Sequence, residues 1–258
     1  MKPFPQRSPE NRISVCIICG NEIRNIRRCL ESVKWADEIV VVDSFSTDGT
    51  YDIALQYTDK VFRQDWLGYI GQKKVAAAKA TCPWIFFVDA DEEVSSGLRA
   101  EIEKLFSGRL PEGVNGFNCP RLVHYLGRWI RHGDWYPDMK LRLFKKDSGE
   151  CGGEEPHDRI IVQGRVMDFA NPLNHYTYDN ISAQIRQIDR FSSISAETHA
   201  RRSRPSFFAL CGHALFKFIR CYFIRLGFLD GIPGLIVAVN VSFGTFTKYA
   251  KLWERHLM

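Results

Sequence analysis

Four acidic side chains follow directly on an apolar run, and this stretch has the residue types most able to do chemistry. Ile85–Val88 has the β-branched and aromatic residues of a strand that is covered on both faces. Asp89, Asp91 and Glu92 would lie at the carboxyl end of that strand, where ligands bind in open α/β sheets. Clustered carboxylates repel one another unless a cation is present, and such oxygen ligands suit Mg²⁺ or Mn²⁺. The stretch predicts a metal site, unless the acids cap the helix that begins near Ser96.

Two other predicted strands end in polar residues at the same edge of the sheet. The first strand is not followed by a glycine-rich dinucleotide fingerprint or by a P-loop. The remaining way to bind a nucleotide at this edge is through carboxylates and a metal ion. Asp43 could accept a hydrogen bond from a base or a ribose, or it could cap the turn that follows it. Lys73 and Lys74 open a helix near this edge, and one of them could face a phosphate group while the other is solvated. The predicted nucleotide-binding residues are Asn21, Glu22, Asp43, Lys73 and Asp89.

Alternating strands and helices must position these residues. The predicted strands are Ile13–Cys19, Asp37–Asp43, Lys60–Phe62 and Ile85–Val88. Between the strands, apolar residues at helical spacing predict helices. The first of these helices carries Ile23, Ile26, Leu30 and Val33, and the third covers 72–80. This alternation predicts an α/β fold, a doubly wound and mostly parallel sheet, followed by a helical C-terminal extension.

Composition and cysteine usage indicate an ordinary globular protein. The 258 residues, of which 45% are hydrophobic and 25% charged, exclude collagen-like, repeat and disordered classes. Only Cys16 and Cys19 have CxxC spacing, and no second pair completes a zinc site. We therefore expect reduced core thiols in a cytosolic protein. Residues 1–12 lack an apolar signal region, and no run is long enough to span a bilayer convincingly, although Gly231–Phe246 comes nearest.

The C-terminal part combines large apolar residues with basic ones. The formal net charge of +5 is spread unevenly, because Arg186–Arg225 has many basic residues and few acids. Within it, Phe207–Arg225 has the composition of an amphipathic helix that lies in a membrane interface. Lys217, Arg220 and Arg225 would then meet anionic head groups. The alternative is a helix that packs on the rest of the protein or forms a dimer contact.

Several segments together carry a resemblance to a known family. The first set is Ile13–Cys19 with Asn21-Glu22, Val40–Thr50, Gln72-Lys73 and Trp84–Glu92. These segments resemble the family-2 glycosyltransferases of the GT-A fold, and the last is similar to that family's DxD metal motif. A second set is Trp135–Asp138, Arg142–Phe144, Pro156–Asp158, His175–Tyr178 and Gly227–Gly231. With these segments, which extend over most of the chain, the sequence resembles the bacterial lipopolysaccharide core β-glucosyltransferase type.

The resemblance implies an inverting transfer, in which an acceptor hydroxyl displaces a sugar, glucose in this branch, from a UDP-sugar. A Mg²⁺ or Mn²⁺ ion held by Asp91 and Asp89 would stabilise the leaving diphosphate. His175 would complete the metal shell or contact the diphosphate, or it is a core histidine. A carboxylate on another segment would take the acceptor proton, and the candidates are Glu154, Glu155 and Asp158, with Asp158 as the first choice and Glu155 as the second.

This chain departs from the family pattern at the proposed base. The family usually has His-Glu where this chain has His157-Asp158, so the carboxylate is shorter by one methylene. Four arginines are candidates for phosphate recognition without an assigned role, namely Arg128, Arg131, Arg142 and Arg159.

The resemblance also implies an organisation and a cellular setting. Residues 1–180 would form a GT-A-like catalytic domain that binds a nucleotide sugar, and 181–258 a helical region that associates with a membrane. The partners would be a nucleotide sugar and a glycolipid or oligosaccharide acceptor, without nucleic acid. The expected location is cytoplasmic, peripheral on the inner face of the cell membrane. Two other functions stay open, a nucleotidyltransferase and a non-catalytic membrane-surface adaptor with a degenerate GT-A fold.

Overall fold

The computed structural model describes residues 7–155, 157–198 and 205–257, without the side chain of His157. Within these ranges the chain divides into two compact units. The first comprises Met1–Arg121 and Met139–His175, and the second comprises Leu122–Asp138 and Tyr176–Met258. These units have other bounds than the two domains predicted at 1–180 and 181–258, and that division into domains stays a prediction.

Strands dominate the first two thirds of the chain and helices the last third. The strands are β1 (Ile13–Cys19), β2 (Glu38–Asp43), β3 (Val61–Arg63), β4 (Trp84–Phe87), β5 (Glu92–Val94), β6 (Val114–Tyr125), β7 (Arg128–Ile130), β8 (Asp138–Lys145), β9 (Gly149–Glu154), β10 (His157–Val162), β11 (Arg165–Asp168) and β12 (Leu173–His175). The helices are α1 (Ile26–Val33), α2 (Thr50–Ala54), α3 (Gly68–Lys79), α4 (Ser96–Phe106), α5 (Ile181–Thr198), α6 (Phe207–Ile219) and α7 (Gly231–Arg255). A π-helical turn, Arg220–Ile224, continues α6.

The first unit is organised around a mixed β-sheet. Four parallel strands come in the order β3-β2-β1-β4, and the sheet continues through β8, β6, β12 and β5. The pairs β4 with β8 and β5 with β12 are antiparallel. The predicted α/β sheet with a helical C-terminal region is confirmed, and the antiparallel strands are an addition to it. Pairing of Cys19 with Asp43 and of Cys16 with Phe87 aligns the carboxyl ends of β1, β2 and β4 at one edge.

The central strands are covered on both faces. Every residue of β1, β2 and β4 is buried. Leu30 of α1 and Leu98 of α4 pack on one face, and Ala76 of α3 packs on the other. Burying one large apolar side chain stabilises a fold by about 1.5–3 kcal/mol, so this packing fixes where the strand ends lie. All eight cysteines are free thiols, and seven of them are buried.

Two helix starts bear on the site. Helix α1 begins at Ile26 rather than near Ile23, which is exposed and donates its backbone N–H to Asp48 Oδ2 at 3.0 Å. Helix α4 is capped by Ser95, whose hydroxyl accepts the N–H of Leu98 at 3.1 Å. The alternative in which the acids after β4 cap this helix is therefore wrong.

The second unit consists of a β-hairpin and three helices. Val123–Tyr125, at the end of β6, pairs with β7 in antiparallel fashion. The hydroxyl of Tyr125 and the amide nitrogen of Asn240 both donate to Gln184 Oε1 at 2.5 Å. This buried network joins the hairpin to α5 and α7, and its groups satisfy one another's hydrogen bonds.

Two helical stretches of the second unit are long and apolar enough, by length and composition, to cross a membrane. They are Phe207–Ile224 and Gly227–Arg255, with 11% and 33% of the apolar window buried. The prediction that no run reaches this length is therefore wrong, because the first helix continues past the basic residues Lys217 and Arg220. Buried helices of water-soluble proteins can meet the same criterion.

Candidate active site

The carboxylates that follow β4 are held by cations of the protein itself. Arg142 on β8 is 6% exposed, and its Nη2 lies 2.6 Å from both Asp89 Oδ2 and Glu92 Oε1. Glu92 also accepts the backbone N–H of Asp89 at 2.9 Å, and Arg121 approaches Glu92 to 3.8 Å. The predicted acid cluster is present, but Asp89 and Glu92 do not need a metal ion to relieve their repulsion.

Lys73 joins the acid cluster to a second segment of the chain. It lies on α3 and is 3% exposed, and its Nζ is 3.2 Å from Asp89 Oδ1 and 2.7 Å from Asp158 Oδ2. Asp158 lies on β10, which pairs with β9 in a separate two-stranded sheet. Two of the predicted site carboxylates are therefore brought together by a buried amine.

Burial and charge pairing act in opposite directions on this cluster. Burial alone would raise the pKa of Asp89, but Arg142 and Lys73 outweigh it and hold that pKa well below its ordinary value. Burial raises the pKa of Glu92 against the lowering effect of Arg142. Burial would lower the pKa of Arg142, but Asp89 and Glu92 raise it well above its ordinary value. Asp89 is therefore ionised at neutral pH, and Arg142 keeps its charge.

Asp91 faces a different partner from its neighbours. Its Oδ2 lies 3.0 Å from Nε2 of His175, which is on β12 and is 9% exposed. The other ring nitrogen, Nδ1, is buried without a hydrogen-bond partner among the described residues. The 3.0 Å separation is that of a hydrogen bond, and a divalent ion held by these two atoms would take the place of the shared proton.

The donor set fits a metal ion that takes most of its ligands from elsewhere. Within the described ranges, no group of three His, Cys, Asp or Glu side chains is placed to hold a metal ion. Mg²⁺ commonly uses one or two carboxylates, with water and substrate phosphates as further ligands. Asp91 fits that pattern, and the imidazole nitrogen of His175 would add a ligand that suits transition-metal ions better than Mg²⁺. Asp89 would first have to leave Arg142 or Lys73. A metal-binding role of all three residues stays a prediction.

Glu155 contacts the helix that carries Lys73. Its Oε1 accepts the N–H of Ile70 at 2.8 Å, in the first turn of α3, where a carboxylate is favoured. Gly68 has a φ of 80°, and a methyl group on it would lie 2.6 Å from Glu155 Oε1, so this close approach requires glycine. Of the two predicted bases, Glu155 caps a helix and Asp158 borders the acid cluster. Pro156 lies outside the described residues.

The predicted nucleotide-binding residues after β1 and β2 hold a loop together. Asp43 is fully buried, and its Oδ2 accepts the N–H of Ser46 at 2.9 Å. Asn21 has a φ of 57° and accepts the N–H of Thr47 at 2.9 Å through its Oδ1. Glu22 follows and is half-buried. The contacts of Asp43 are those of the alternative in which it caps the turn that follows it. Nucleotide binding by these residues stays a prediction.

The segment that contains Asp43, Asp89 and Arg142 also matches a known family. The sequence model of the family described as Glycosyl transferase family 2 matches residues 14–149, more than half of the chain. The chain belongs to glycosyl transferase family 2. The predicted resemblance and the prediction of an enzyme, a glycosyltransferase, are thereby confirmed.

Relatives of this family-2 glycosyltransferase extend the match to nearly the whole chain. It is 29% identical over 258 residues to the lipopolysaccharide core biosynthesis glycosyltransferase LpsC of Rhizobium meliloti (strain 1021), covering 97% of this chain and 95% of LpsC. It is 32% identical over 259 residues to an uncharacterized glycosyltransferase of Rickettsia bellii (strain RML369-C), covering 95% and 87%. The solved structure of S. aureus TarS 1-349 in complex with UDP-GlcNAc aligns with a TM-score of 0.49 at 14% identity, covering 95% of this chain and 91% of that chain.

Two side chains of the glycosyltransferase site had no role assigned from the sequence. Arg142 lies between Leu141 and Leu143 in a strand, and a charge in such an apolar setting is buried only when it is paired, which is a usable signal. Gln72 is fully buried and donates through Nε2 to the hydroxyl of Ser44 at 2.6 Å. It joins α3 to the loop after β2, so α3 contacts both halves of the candidate site.

Proposed function

We propose that this glycosyltransferase moves a sugar, with inversion at the anomeric carbon, from a UDP-sugar to a glycolipid of the lipopolysaccharide core type. The acceptor class is supported by the 29% identity to LpsC, whose name places that protein in lipopolysaccharide core biosynthesis. Glucose is the first donor sugar to test, because the sequence resembles the β-glucosyltransferase branch. The catalytic part is proposed to lie within 1–180.

The ion pair between Lys73 and Asp158 is the observation that carries this proposal. An inverting transfer needs one base that takes the proton of the acceptor hydroxyl while the bond from sugar to phosphate breaks. Asp158 Oδ2 accepts a hydrogen bond from Lys73 Nζ at 2.7 Å, which orients the carboxylate at this edge of the sheet. Its side chain is 22% exposed, so an acceptor hydroxyl can reach it. Asp89 has each carboxylate oxygen in an ion pair, which makes it a poorer base.

Fixed positive charge at the same edge suits the departure of a diphosphate. The leaving group gathers negative charge as the sugar departs, and preorganised cations lower the barrier for that step. Lys73 is a buried cation with carboxylate partners at 3.2 Å and 2.7 Å, and a phosphate oxygen that binds it would take the place of one of these partners. A divalent ion at Asp91 and His175, when bound, would add Lewis-acid stabilisation of the same charge. Asn21, Glu22, Asp43 and Asp89 are the proposed contacts of the nucleotide.

We further propose that the enzyme works at the cytoplasmic face of the cell membrane as a peripheral protein. A glycolipid acceptor is anchored in a bilayer, so the enzyme must reach a membrane surface to meet it. The second unit exposes large apolar side chains at the start of α6, with Phe207 74% and Phe208 83% exposed. The transfer of such side chains from water to a membrane interface is favourable.

A donor screen followed by a transfer assay tests the proposed function. Thermal unfolding is measured with a panel of nucleotide sugars, with and without Mn²⁺, because a ligand that binds only the folded state raises its stability. We expect a UDP-sugar to raise the Tm, and we expect Asp91→Asn to lose the part that depends on Mn²⁺. Mass spectrometry should then show a core oligosaccharide gaining one hexose.

The outcomes of this test separate the parts of the proposal. If only a GDP-sugar stabilises the protein, the proposed nucleotide is wrong, but the proposed transferase activity stands. An Asp91→Asn protein with full Mn²⁺-dependent stabilisation would remove Asp91 from the proposed metal site. No stabilisation and no gain in acceptor mass with any donor would overturn the proposed function.

A further inference from the structure

The chain passes from α6 to α7 through residues 223–232, which we call the apolar turn. Its exposed side chains are Phe223 (55%), Ile224 (64%), Leu226 (45%), Phe228 (44%), Leu229 (50%) and Ile232 (75%). Its single acidic residue, Asp230, is only 2% exposed. Monomeric soluble proteins rarely expose so much contiguous apolar surface, and a patch of this kind marks an interaction site.

Asp230 fixes the conformation of the apolar turn. Its Oδ2 accepts the backbone N–H groups of Arg131 at 2.9 Å and His132 at 2.8 Å. Its Oδ1 lies 3.1 Å from Nδ1 of His132. The backbone N–H of Gly133 donates to the carbonyl oxygen of Arg225 at 2.8 Å. Asp230 and main-chain groups thus hold the turn against the segment after β7. Its apolar side chains stay exposed, although Phe223 and Phe228 also contact the ring of Tyr222.

Three exposed arginines border the apolar turn, and we call Arg128, Arg131 and Arg225 the arginine rim. Arg225 belongs to the turn, and Arg131 is bound to Asp230 through its backbone. A methyl group on Gly231 would lie 3.1 Å from Arg128 Nη1, so this guanidinium lies against the end of the turn. None of the three rim side chains forms an ion pair with a carboxylate in the part of the chain that the structure describes.

Two other cations of the same unit are already paired. Lys217 Nζ lies 3.3 Å from Asp134 Oδ2, and Arg220 Nη2 lies 3.4 Å from Asp134 Oδ1. The side chain of Asp134 is only 11% exposed, and those of Lys217 and Arg220 are 36% and 34% exposed. The ion pairs with Asp134 argue against the predicted role of Lys217 and Arg220 at anionic head groups, while Arg225 keeps that role.

We propose that the apolar turn inserts into a membrane surface and that the arginine rim binds the phosphate groups of anionic lipids. Guanidinium groups bind phosphate oxygens in pairs, and the neighbouring apolar side chains can reach the acyl chains. A nucleic acid would match the rim but would leave Ile224 and Ile232 in water. A symmetric second copy would bring two unpaired rims of like charge together. The inference rests on the proposed membrane setting and names the residues that make the contact.

Vesicle binding by the full-length protein tests this assignment. Vesicles of phosphatidylcholine alone, or mixed with phosphatidylglycerol, are sedimented and the bound fraction is measured. The rim variant has all three rim arginines replaced by Gln. The control variant carries Arg109→Gln, Arg186→Gln and Arg190→Gln, which removes the same charge from exposed arginines that also lack ion pairs in the described structure.

The rim variant should lose more than tenfold in affinity for the anionic vesicles, because one basic side chain near such a surface contributes on the order of fivefold. The control variant should stay within about threefold of the wild type. Leu229→Ser with Ile232→Ser should weaken binding to both kinds of vesicle. Equal losses in the rim and control variants would show that net charge alone acts, and would overturn the assignment.

A protein partner would give a different pattern. If the wild type ignores anionic vesicles and sediments as a dimer that the Leu229→Ser and Ile232→Ser changes dissociate, the turn is an interface between copies and the proposal is wrong. Transfer to a water-soluble core oligosaccharide, measured without vesicles, should be unchanged in all variants. A wild type without transfer would count against the proposed function, and the vesicle comparison would still decide this inference.

Discussion

In the first unit paired carboxylates lie at both ends of the central strands, and the two ends differ in what holds the carboxylates. At the amino end of β2, Glu38 is 8% exposed and accepts both the backbone N–H and the hydroxyl of Thr81 at 2.7 Å. Ser14 and Lys60 donate to the same carboxylate. Burial alone would raise the pKa of Glu38, yet these hydrogen bonds lower it from 4.5 to about 2.

At the carboxyl end of β4, the carboxylates depend on side-chain cations. Asp89 contacts Arg142 and Lys73, and Asp158 contacts Lys73. Glu38 keeps the donors of Ser14 and Thr81 even when Lys60 moves, whereas Asp89 and Asp158 share Lys73, which can change partner when an anionic ligand arrives. The comparison indicates that the Glu38 end contributes stability and that the Lys73 end is suited to ligand exchange.

Lys73→Met should produce the largest effect and act mainly on activity. The change removes the partner of Asp158 and one fixed cation, so transfer should fall on the order of 10²–10³-fold, as for the loss of one preorganised donor. Asp89 keeps Arg142, and both carboxylates are partly exposed, so the free energy of unfolding should fall by less than the 3–5 kcal/mol typical of a broken, fully buried pair. Lys74→Met, on the exposed neighbour, is the control and should keep transfer within about twofold. Equal activity of the two variants would contradict the claim that the Lys73 end of the sheet serves the transfer reaction.

Glu38→Gln should act on stability alone. The lowered pKa means that the ionised carboxylate contributes its stability above pH 4.5, and that this contribution is lost as the pH falls from 4.5 toward 2. Urea unfolding at neutral pH should show a loss of about 3 kcal/mol, and the difference from the wild type should shrink below pH 4.5. Transfer measured below the unfolding range should match the wild type. A stable variant with impaired transfer would mean that the two ends do not divide these roles.

Glu155→Gln should have the smallest effect. The carboxylate caps α3 through the N–H of Ile70, and an amide oxygen at this position can still accept that N–H. Only the interaction of the negative charge with the helix N-terminus is lost, which contributes about 0.3–1 kcal/mol. Chemical denaturation should show that change, with transfer reduced severalfold at most, because Lys73 lies on the same helix. A loss of transfer beyond 100-fold would instead identify Glu155 as the base.

The elements with the strongest local pattern were predictable from the sequence. The bounds of β1 agree residue for residue with the prediction, because seven consecutive buried residues leave no other structure at that length. The acid cluster was found for the same reason, since an apolar strand that ends in acids has to stop there. The turn after Asp43 was also predictable, because Asp48 and Gly49 are typical turn residues and Gly49 has a φ of 94°.

Partners that are distant in sequence could not be predicted. Arg142 reaches Asp89 and Glu92 only because β8 pairs antiparallel with β4, and no local pattern near Asp89 specifies that pairing. The contact between Glu155 and Ile70 likewise joins two segments through tertiary packing. The sequence already ranked Asp158 before Glu155, but the helix contact of Glu155 and the ion pair of Asp158 could be seen only in the structure.

Replacing Asp158 by Asn tests most directly whether this carboxylate takes the proton of the acceptor. Donor affinity by calorimetry and the rate of transfer are measured on the same purified protein. We predict that the Kd for the UDP-sugar stays within about threefold of the wild type while transfer falls by roughly 10²–10⁴-fold, because the base acts on the acceptor and not on the nucleotide. Transfer within tenfold of the wild-type rate would contradict the assignment of Asp158 as the base.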